Sequence, residues 1–315
     1  MGGRAELIAD GGAAAETDDF FRSRPFYGAE GVTHTVRIED AGVEVALPLL
    51  VREIPGTELV DATSPYGYPG AAVRGGDGAP LDPRETDWMG TGLVSLFARE
   101  RLGAEPCLAG ATRRSVVQVH DPSRPRRLRS RFGEQIRHNR KLGYHVEVLP
   151  GPETSVEHRA SFHAAYTETM ERAGAAKRYF FDPEYLGAIL AFERSWLLLG
   201  RTAESATAAA AIAALSDGLL HYYLGGTAEA HLSDSPFKNV VAAMIELADE
   251  LGLPLNLGGG VRPGDGLEDF KRGFANAELP FHTHEIVCDP DAYRRLSEGR
   301  EDSGFFPLYR APAQS

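Results

Sequence analysis

The sequence predicts a protein of mixed α and β structure with two domains. Its 315 residues are about twice the usual length of one domain. Stretches with strand periodicity alternate with stretches of helical periodicity along the chain. Two stretches, RIEDAGVEVALPLL and IAALSDGLLHYYLGG, share a layout of strand, turn and strand. This likeness indicates a duplicated unit.

The first half of the chain begins with a helical pattern over residues 15–27. A hairpin follows over residues 33–53, because two β-rich runs flank a turn that contains Asp40 and Gly42. The next strand ends in SPYGYPG, whose prolines and glycines predict an ordered loop. Residues 86–104 carry leucines and a phenylalanine at helical spacing and therefore predict a helix.

Residues 113–150 predict a strand, a basic helix and a second strand. RRSVVQVHD has the composition of a strand. FGEQIRHNRKLGY is typical of a helix that ends at Gly143, and HVEVLP returns to strand composition.

Two helices open the second half. VEHRASFHAAYTETMERAG repeats large side chains every four residues, and DPEYLGAILAFE begins with a capping Asp182 followed by a proline. SWLLLGRT, the two strands around an Asp-Gly turn, and LPLNLGGG predict the sheet. SPFKNVVAAMIELADELG predicts a helix capped by Ser235 and ended by Gly252. FHTHEIVCDPDAYRRL predicts a last strand and helix.

The composition, with 43% hydrophobic and 25% charged residues, is that of an ordinary globular protein. The apolar runs are shorter than the about 18 residues of a membrane span, so we expect a cytoplasmic protein. Cys107 and Cys288 are too few for a disulfide framework or paired zinc ligands. His282 and His284 could share one face of a strand, but no further ligands stand out, and we predict neither a metal nor a cofactor.

A basic segment interrupts this acidic chain. The net charge of −12 argues against a protein coated in nucleic acid. Residues 124–141 nevertheless hold eight basic residues and a single acid. The eight, which we call the basic strip, are Arg124, Arg126, Arg127, Arg129, Arg131, Arg137, Arg140 and Lys141. One interpretation is a solvated surface run; the other is a phosphate-binding surface on an acidic body.

Three segments of the second half resemble a known family. LHYYLGGT, SPFKNVVAAMIELADELGLPLNLGGG and GLEDFKRGF, in that order, resemble the C-terminal unit of the Fem-type aminoacyltransferases and their FemAB-like relatives in the GNAT superfamily. RFGEQIRHNRKLGYHVEV and SFHAAYTETMERAG are similar to the basic helix of that family and to the helix after it. The resemblance covers about residues 115–285.

The resemblance implies two tandem GNAT-like domains, each with a mixed, mostly antiparallel sheet flanked by helices. It implies a first domain of residues 1–150 plus 286–315 and a second, catalytic domain of residues 151–285. It also implies an acyltransferase that forms an amide bond on an amine. Fem-type enzymes have a Phe-Lys pair at the catalytic centre, and the resemblance carries that role to Phe270 and Lys271.

The chemistry of acyl transfer independently suits Lys271. An oxyanion forms at the attacked carbonyl, and a partly desolvated ammonium between Phe270 and Phe274 would stabilise it. The alternative is a surface lysine on an amphipathic helix. The preceding loop, NLGGGVRPGDG, lacks the spacing of nucleotide-binding loops, but Gly259 and Gly260 would let the backbone approach a substrate closely.

The donor is predicted from the loop before the Ser235 helix. CoA-dependent GNAT enzymes hold a diphosphate on a glycine-rich loop there, whereas HLSDSPFKN has no glycine and Asp234 would repel a diphosphate. Fem-type proteins resemble this loop more closely, and their donor is aminoacyl-tRNA, a polyanion that the basic strip could bind. We therefore predict transfer of an aminoacyl group from aminoacyl-tRNA, with an acyl-CoA or carrier-protein donor as the alternative.

The acceptor is predicted to be the amine of a small peptide-like molecule or metabolite. Tyr66 and Tyr68 could line its cleft, with a rigid packed loop as the alternative. Tyr223 could face the same cleft, since successive strand residues point to opposite sides. His138 and His221 are candidate bases by residue type only, and a structural role is the alternative. For the whole chain, a binding module without catalytic activity is a further alternative.

Overall fold

The computed structural model describes residues 2–15, 19–76, 78–260, 262 and 264–312. Its strands and α-helices in chain order are β1 (Arg4–Ile8), α1 (Arg24–Glu30), β2 (His34–Asp40), β3 (Val43–Glu53), β4 (Val60–Thr63), β5 (Ala72–Gly75), β6 (Leu93–Arg99), β7 (Thr112–His120), α2 (Ser130–Lys141), β8 (His145–Pro150), α3 (Val156–Arg172), α4 (Pro183–Leu190), β9 (Ser195–Arg201), β10 (Thr207–Ser216), β11 (Leu219–Thr227), α5 (Phe237–Leu251), β12 (Leu255–Gly258), α6 (Gly266–Arg272), β13 (Ala277–Val287) and α7 (Pro290–Ser297).

The chain divides into two compact units. Unit 1 comprises the described residues of Met1–Thr17, Phe21–Ser115 and Pro280–Ser315. Unit 2 comprises those of Asp18–Phe20 and Val116–Leu279. Within the described residues, every helix falls short of the length and apolarity that would carry it across a membrane.

The sheet of unit 1 runs in the order β1, β2, β3, β4, β6, β13, and β5 pairs with β3 outside this series. Only β4 and β6 are parallel; the other neighbours in the series are antiparallel. Alternating apolar residues of these strands form the core, in which Ile38, Leu47 and Leu96 are fully buried.

The sheet of unit 2 runs in the order β8, β9, β10, β11, β12, β7. Its one parallel pair is β11 and β12. Helices α2 and α5 pack over Leu198, Leu220 and Leu255, with Phe132 and Met244 among the buried helix residues. The small alanines of β10 are buried throughout, which lets helices approach the strands closely.

The two sheets repeat one pairing pattern. Along each series, three antiparallel pairings are followed by one parallel and one antiparallel pairing. The sixth strand is exchanged along the chain: unit 1 takes β13, which follows unit 2, and unit 2 takes β7, which follows β6. The predicted fold class, two mixed and mostly antiparallel sheets flanked by helices, is confirmed.

The boundaries of the units differ from the predicted domains. The sequence placed the divisions after residues 150 and 285, whereas the units divide after residues 115 and 279. Residues 116–150 belong to unit 2 because β7 pairs with β12, β8 pairs with β9, and α2 packs on α5. Strand pairing between distant segments leaves no mark at the point in the sequence where the boundary falls.

Three predicted elements take another form. Within residues 86–104, where a helix was expected, Leu93–Arg99 forms strand β6 after a 3-10 turn at Met89–Thr91. Strand β6 is buried between β4 and β13, and its apolar residues point to both faces. The helix expected over residues 15–27 is a 3-10 turn at Phe20–Arg22 followed by α1, while residues 16–18 lie outside the described residues. Ser235 does not cap α5; it adopts a left-handed conformation, and Pro236 precedes the helix.

Candidate active site

Lys271 lies in the last turn of the short helix α6 and is 9% exposed. The helix begins at Asp265, whose side chain accepts a hydrogen bond from the Glu268 N–H and so caps it. Leu267, one turn earlier on the same helix, is exposed, whereas Lys271 is buried and occupies the inner face. The burial excludes the alternative of a surface lysine.

The Lys271 ammonium is held by the loop after β12 and by β11. Its Nζ donates a hydrogen bond of 2.7 Å to the Gly259 carbonyl oxygen and lies 5.6 Å from the centroid of the Tyr222 ring. Gly258 has a φ of +82°, and a Cβ there would come within 2.9 Å of Nζ. The positive φ favours glycine at this position, and a Cβ here would require the ammonium to shift.

Burial lowers the pKa of Lys271 to about 8, and the nearby charge of Asp265 offsets part of this effect. Near neutral pH the group is therefore mainly a cation, and it loses its proton in the mildly alkaline range. A desolvated ammonium exerts a stronger field on a neighbouring oxygen than an exposed lysine does.

The lysine lies where two parallel strands separate. β11 and β12 share only two register pairs, Leu220 with Leu255 and His221 with Asn256. The next residue of β11 is Tyr222, and Gly258 and Gly259 follow shortly on β12 and its loop. Tyr222, Gly259 and Lys271 are therefore gathered where this pairing ends, a point that we call the opening between the strands.

Aromatic rings surround the helix that carries the lysine. Phe270 packs 5.6 Å from Phe132, 5.4 Å from Phe274 and 6.3 Å from Phe237, measured between ring centroids. Tyr222 in turn packs 5.6 Å from Phe237. Phe270 thus joins the predicted catalytic pair to the core of unit 2, and its ring contributes to a surrounding of low polarity.

Tyr223 was predicted to face the substrate cleft, but the tyrosine beside Lys271 is its neighbour Tyr222. Tyr223 is buried, its hydroxyl is hydrogen-bonded to the hydroxyl of Tyr185, and its ring packs 5.2 Å from Phe20. Strand alternation turns its neighbour Tyr222 toward α5 and α6 instead. The sequence LHYYL could have led to either tyrosine, and only the strand register distinguishes them.

The glycine loop is partly described. Gly259 contacts the ammonium as above, and a Cβ at Gly260 would come within 2.4 Å of the Asp265 carboxylate. The same carboxylate accepts a hydrogen bond of 2.9 Å from the Arg262 N–H. Val261 and Pro263 lie outside the described residues.

The basic strip lies on and before α2 in unit 2 and is partly neutralised. Five of its members are within ion-pair distance of acids: Arg124 with Asp121, Arg126 with Asp249, Arg129 and Arg131 with Asp269, and Arg140 with Glu246. Arg127, Arg137 and Lys141 are exposed and have no such partner in the part of the chain that the structure describes. Its role as a phosphate-binding surface stays a prediction.

The remaining candidates lie elsewhere. Tyr66 and Tyr68 belong to unit 1, where Tyr68 packs between Phe21 and Phe281 at 5.6 and 5.1 Å and Tyr66 is 41% exposed. Their role at an acceptor cleft stays a prediction.

Of the two candidate bases, His221 has structural partners and His138 is exposed. Buried His221 donates through Nε2 to the Ser216 carbonyl and accepts through Nδ1 from the Asn256 amide, so its two ring nitrogens are satisfied. His138 is exposed on α2. In unit 1, His284 Nε2 lies 2.6 Å from the buried Glu100 carboxylate. No group of three His, Cys, Asp or Glu side chains in the described ranges is arranged to hold a metal ion.

The fold has counterparts among solved structures. FemX superposes with a TM-score of 0.57 at 12% identity, over 91% of this chain and 96% of FemX. L-PGS from Bacillus licheniformis gives 0.54 at 11% identity, over 80% and 82%. The C-terminal domain of a chain designated a lysylphosphatidylglycerol synthetase from Agrobacterium fabrum gives 0.56 at 12% identity, over 87% and 89%.

The fold is that of FemX. The coverage extends over nearly the full length of both chains, so the likeness includes both units. No protein-family profile and no curated protein sequence matches the chain. At 12% identity the FemX likeness shows the architecture, and the roles of individual residues depend on the geometry above.

Two residues near the predicted Phe-Lys pair could not have been found from the sequence. Phe132 and Lys238 are far apart along the chain, and α2 and α5 bring them together. Phe132 stood inside the basic strip as an apolar residue, and Lys238 was one lysine in an amphipathic helix. Helix packing between distant segments was the missing information.

Proposed function

We propose that this protein is an acyltransferase that forms an amide bond, with Lys271 stabilising the oxyanion of the transition state. The observation that carries the proposal is a buried ammonium beside the opening between β11 and β12. A lysine ammonium has three N–H donors, and the Gly259 carbonyl uses one of them. The other two have no hydrogen-bond acceptor among the described residues, so they are available to a substrate carbonyl oxygen.

The reaction joins a neutral amine to an activated acyl group. The amine nitrogen attacks the carbonyl carbon of the ester, the C–N bond forms, and the carbonyl oxygen becomes an oxyanion that Lys271 stabilises. The C–O bond to the donor then breaks, and the proton lost by the amine passes to the departing hydroxyl. Holding both reactants at one opening supplies the alignment that this step needs.

We propose aminoacyl-tRNA as the donor and a small amine as the acceptor. The basic strip supports a polyanionic donor, since three of its members carry charge that no carboxylate within the described residues neutralises. The loop before α5 supports it too, because it offers no glycines to a CoA diphosphate and contains Asp234. FemX shares the fold of this chain. The separate resemblance of the sequence to Fem-type enzymes, whose donor is aminoacyl-tRNA, supports the same donor.

The test is transfer of labelled amino acids from a charged tRNA pool to a pool of small amines, with wild-type protein and Lys271→Met. We expect the substitution to lower the turnover by about 10² to 10³-fold, the usual effect of removing an oxyanion donor. Lys177→Met, an exposed lysine of unit 2, is the matched control and should keep its turnover. Normal turnover by Lys271→Met would refute the proposed site.

Ribonuclease treatment separates the possible donors. If aminoacyl-tRNA is the donor, ribonuclease abolishes product formation in a cell lysate that contains the protein. Retained activity would instead identify a thioester donor and would overturn the assignment to tRNA.

A further inference from the structure

Phe132, on α2, has three cationic side chains around one ring. The guanidinium carbons of Arg129 and Arg131 lie 5.1 and 5.6 Å from its centroid, and Lys238 Nζ lies 5.1 Å from it. Each distance is that of a cation–π contact. Because a ring offsets only part of the repulsion between cations, this arrangement favours an added anion.

Protein carboxylates neutralise one side of the cluster. Asp269 pairs with Arg129 at 2.8 Å and lies 3.9 Å from Arg131. Lys238 is half-buried and has no carboxylate within ion-pair distance among the residues that the structure describes. Burial, and after it the charge of Arg131, lowers the pKa of Lys238. Lys238 is thus the cation of the cluster without a carboxylate, and beside it Arg131 shares the single Asp269 carboxylate with Arg129.

The cluster contacts Phe270, the residue that precedes Lys271. The Phe132 ring packs 5.6 Å from the ring of Phe270, the residue before the lysine. Gly273 permits this approach, since a Cβ there would come within 2.2 Å of the Phe132 ring. The Arg129 N–H also donates to the Gly273 carbonyl oxygen at 2.9 Å. One molecule could therefore place an anion at Arg131 and Lys238 and also reach the opening between β11 and β12.

We propose that Arg131 and Lys238 bind a phosphate group of the acyl donor. A phosphate presents several acceptor oxygens, so the exposed guanidinium of Arg131 and the ammonium of Lys238 can each donate to it. Its charge relieves the repulsion between the two cations. The inference rests on the proposed function, because it makes the phosphate part of the donor. The 3′ end of an RNA and the diphosphate of CoA both provide this chemistry.

The test measures binding of two probes, a short single-stranded RNA ending in CCA and CoA itself, at several salt concentrations. We expect Lys238→Met to weaken binding of the donor-type probe about tenfold and to reduce the salt slope by about one unit. Lys238→Arg keeps the charge and should restore most of the affinity. Lys177→Met, with its exposed lysine away from the ring, should bind like wild type.

The outcome also identifies the source of the phosphate. A loss confined to RNA assigns the 3′ end, and a loss confined to CoA assigns the diphosphate; either supports the phosphate site. If Lys238→Met binds both probes with wild-type affinity and slope, or if wild type binds neither, the inference is overturned. Should Lys238→Met fail to fold, Arg131→Met, at an exposed side chain, provides the same measurement.

Turnover measurements keep this inference separate from the proposed function. Loss of the phosphate contact should raise the KM for the donor and leave kcat nearly unchanged, whereas Lys271→Met should lower kcat with donor binding retained. Full turnover by Lys271→Met would refute the proposed function alone. Unchanged KM in Lys238→Met would refute the phosphate site alone.

Discussion

Burying an ammonium group costs free energy of folding, and Lys271 is buried with one hydrogen-bond acceptor among the described residues, the Gly259 carbonyl oxygen, at 2.7 Å. The surrounding residues fit its position closely. Gly258 leaves no room for a Cβ beside Nζ, and the Tyr222 ring faces the charge. A packing role alone would be served better by methionine or leucine, so the observed arrangement favours a chemical role for the ammonium.

The pH dependence of transfer should report on Lys271. The protonated form stabilises the oxyanion, so activity should fall as the pH rises through about 8, the pKa to which burial lowers this lysine. On the acid side, activity should rise with pH as the acceptor amine loses its proton. In Asp265→Asn the charge that raises the lysine pKa is gone, and the alkaline limb should move to lower pH.

Asn can replace Asp265 as the helix cap, which keeps α6 in place. Asp182→Asn, at the cap of α4, is the matched control and should leave the pH profile unchanged. An alkaline limb at the same pH in wild type and in Asp265→Asn would contradict its assignment to Lys271. Initial rates over pH 6 to about 10 make the distinction.

At the level of single residues, the sequence indicated which side chains belong to the site but not how they are buried or what surrounds them. The family resemblance led to Phe270 and Lys271, and the structure shows the burial that spacing alone left open. Tyr222 was missed because alternation has two phases, and the sequence does not show which phase faces the helices. Lys238 was missed because its ring partner lies on another helix.

At the level of elements, a buried asparagine joins α2 to α5. Asn139 is fully buried, and its amide donates to the Asp234 carbonyl and to the Asn239 side chain, each at 2.8 Å. Its oxygen accepts from Gln135 at 2.9 Å. These bonds fix the helix that carries Phe132 against the helix that carries Lys238.

Asn139→Ala should lower the free energy of unfolding by about 2 to 3 kcal/mol, because it leaves buried polar groups without partners. Denaturant unfolding measures this change. His138→Ala, at the exposed neighbouring position, should change the stability by less than about 0.5 kcal/mol. Equal stability of the two variants would show that solvent replaces the Asn139 bonds without cost.

Elements with strong local signals were predicted well. The hairpins, α3, α4 and α5 lie where turn residues and apolar periodicity placed them, and Asp182 caps α4 as expected. Strand β6 was taken for a helix because a strand buried on both faces has no two-residue alternation to separate it from a buried helix. The strand order could not be predicted, since pairing joins segments that are far apart in sequence.

At the level of the whole chain, the C-terminal segment is anchored in unit 1 by a buried carboxylate. Asp61 is fully buried and accepts hydrogen bonds from Tyr309 at 3.0 Å and from Arg52 at 3.0 Å. Arg310 donates to both of its oxygens. The Tyr309 hydroxyl is also bonded to Ser95 on β6, at 2.7 Å.

Removing one cation from this cluster should destabilise the protein measurably. We expect Arg310→Ala to lower the free energy of unfolding by about 2 kcal/mol, because the buried Asp61 then loses one of the two cationic partners that the described residues give it. The measurement is the shift of the thermal or denaturant midpoint. Arg295→Ala, at an exposed arginine of α7, is the control; a shift as small as that of the control would contradict the anchoring role.

The exchange of β7 and β13 constrains the order in which the molecule can be completed. The sheet of unit 2 includes β7, which is synthesised before the other strands of that sheet. The sheet can therefore form as soon as the last of its strands, β12, is synthesised. Unit 1 needs residues 280–287 of β13, which leave the ribosome only after all of unit 2. The amino-terminal half of the nascent chain must therefore wait with an incomplete sheet, and no single cut of the polypeptide can yield two whole halves.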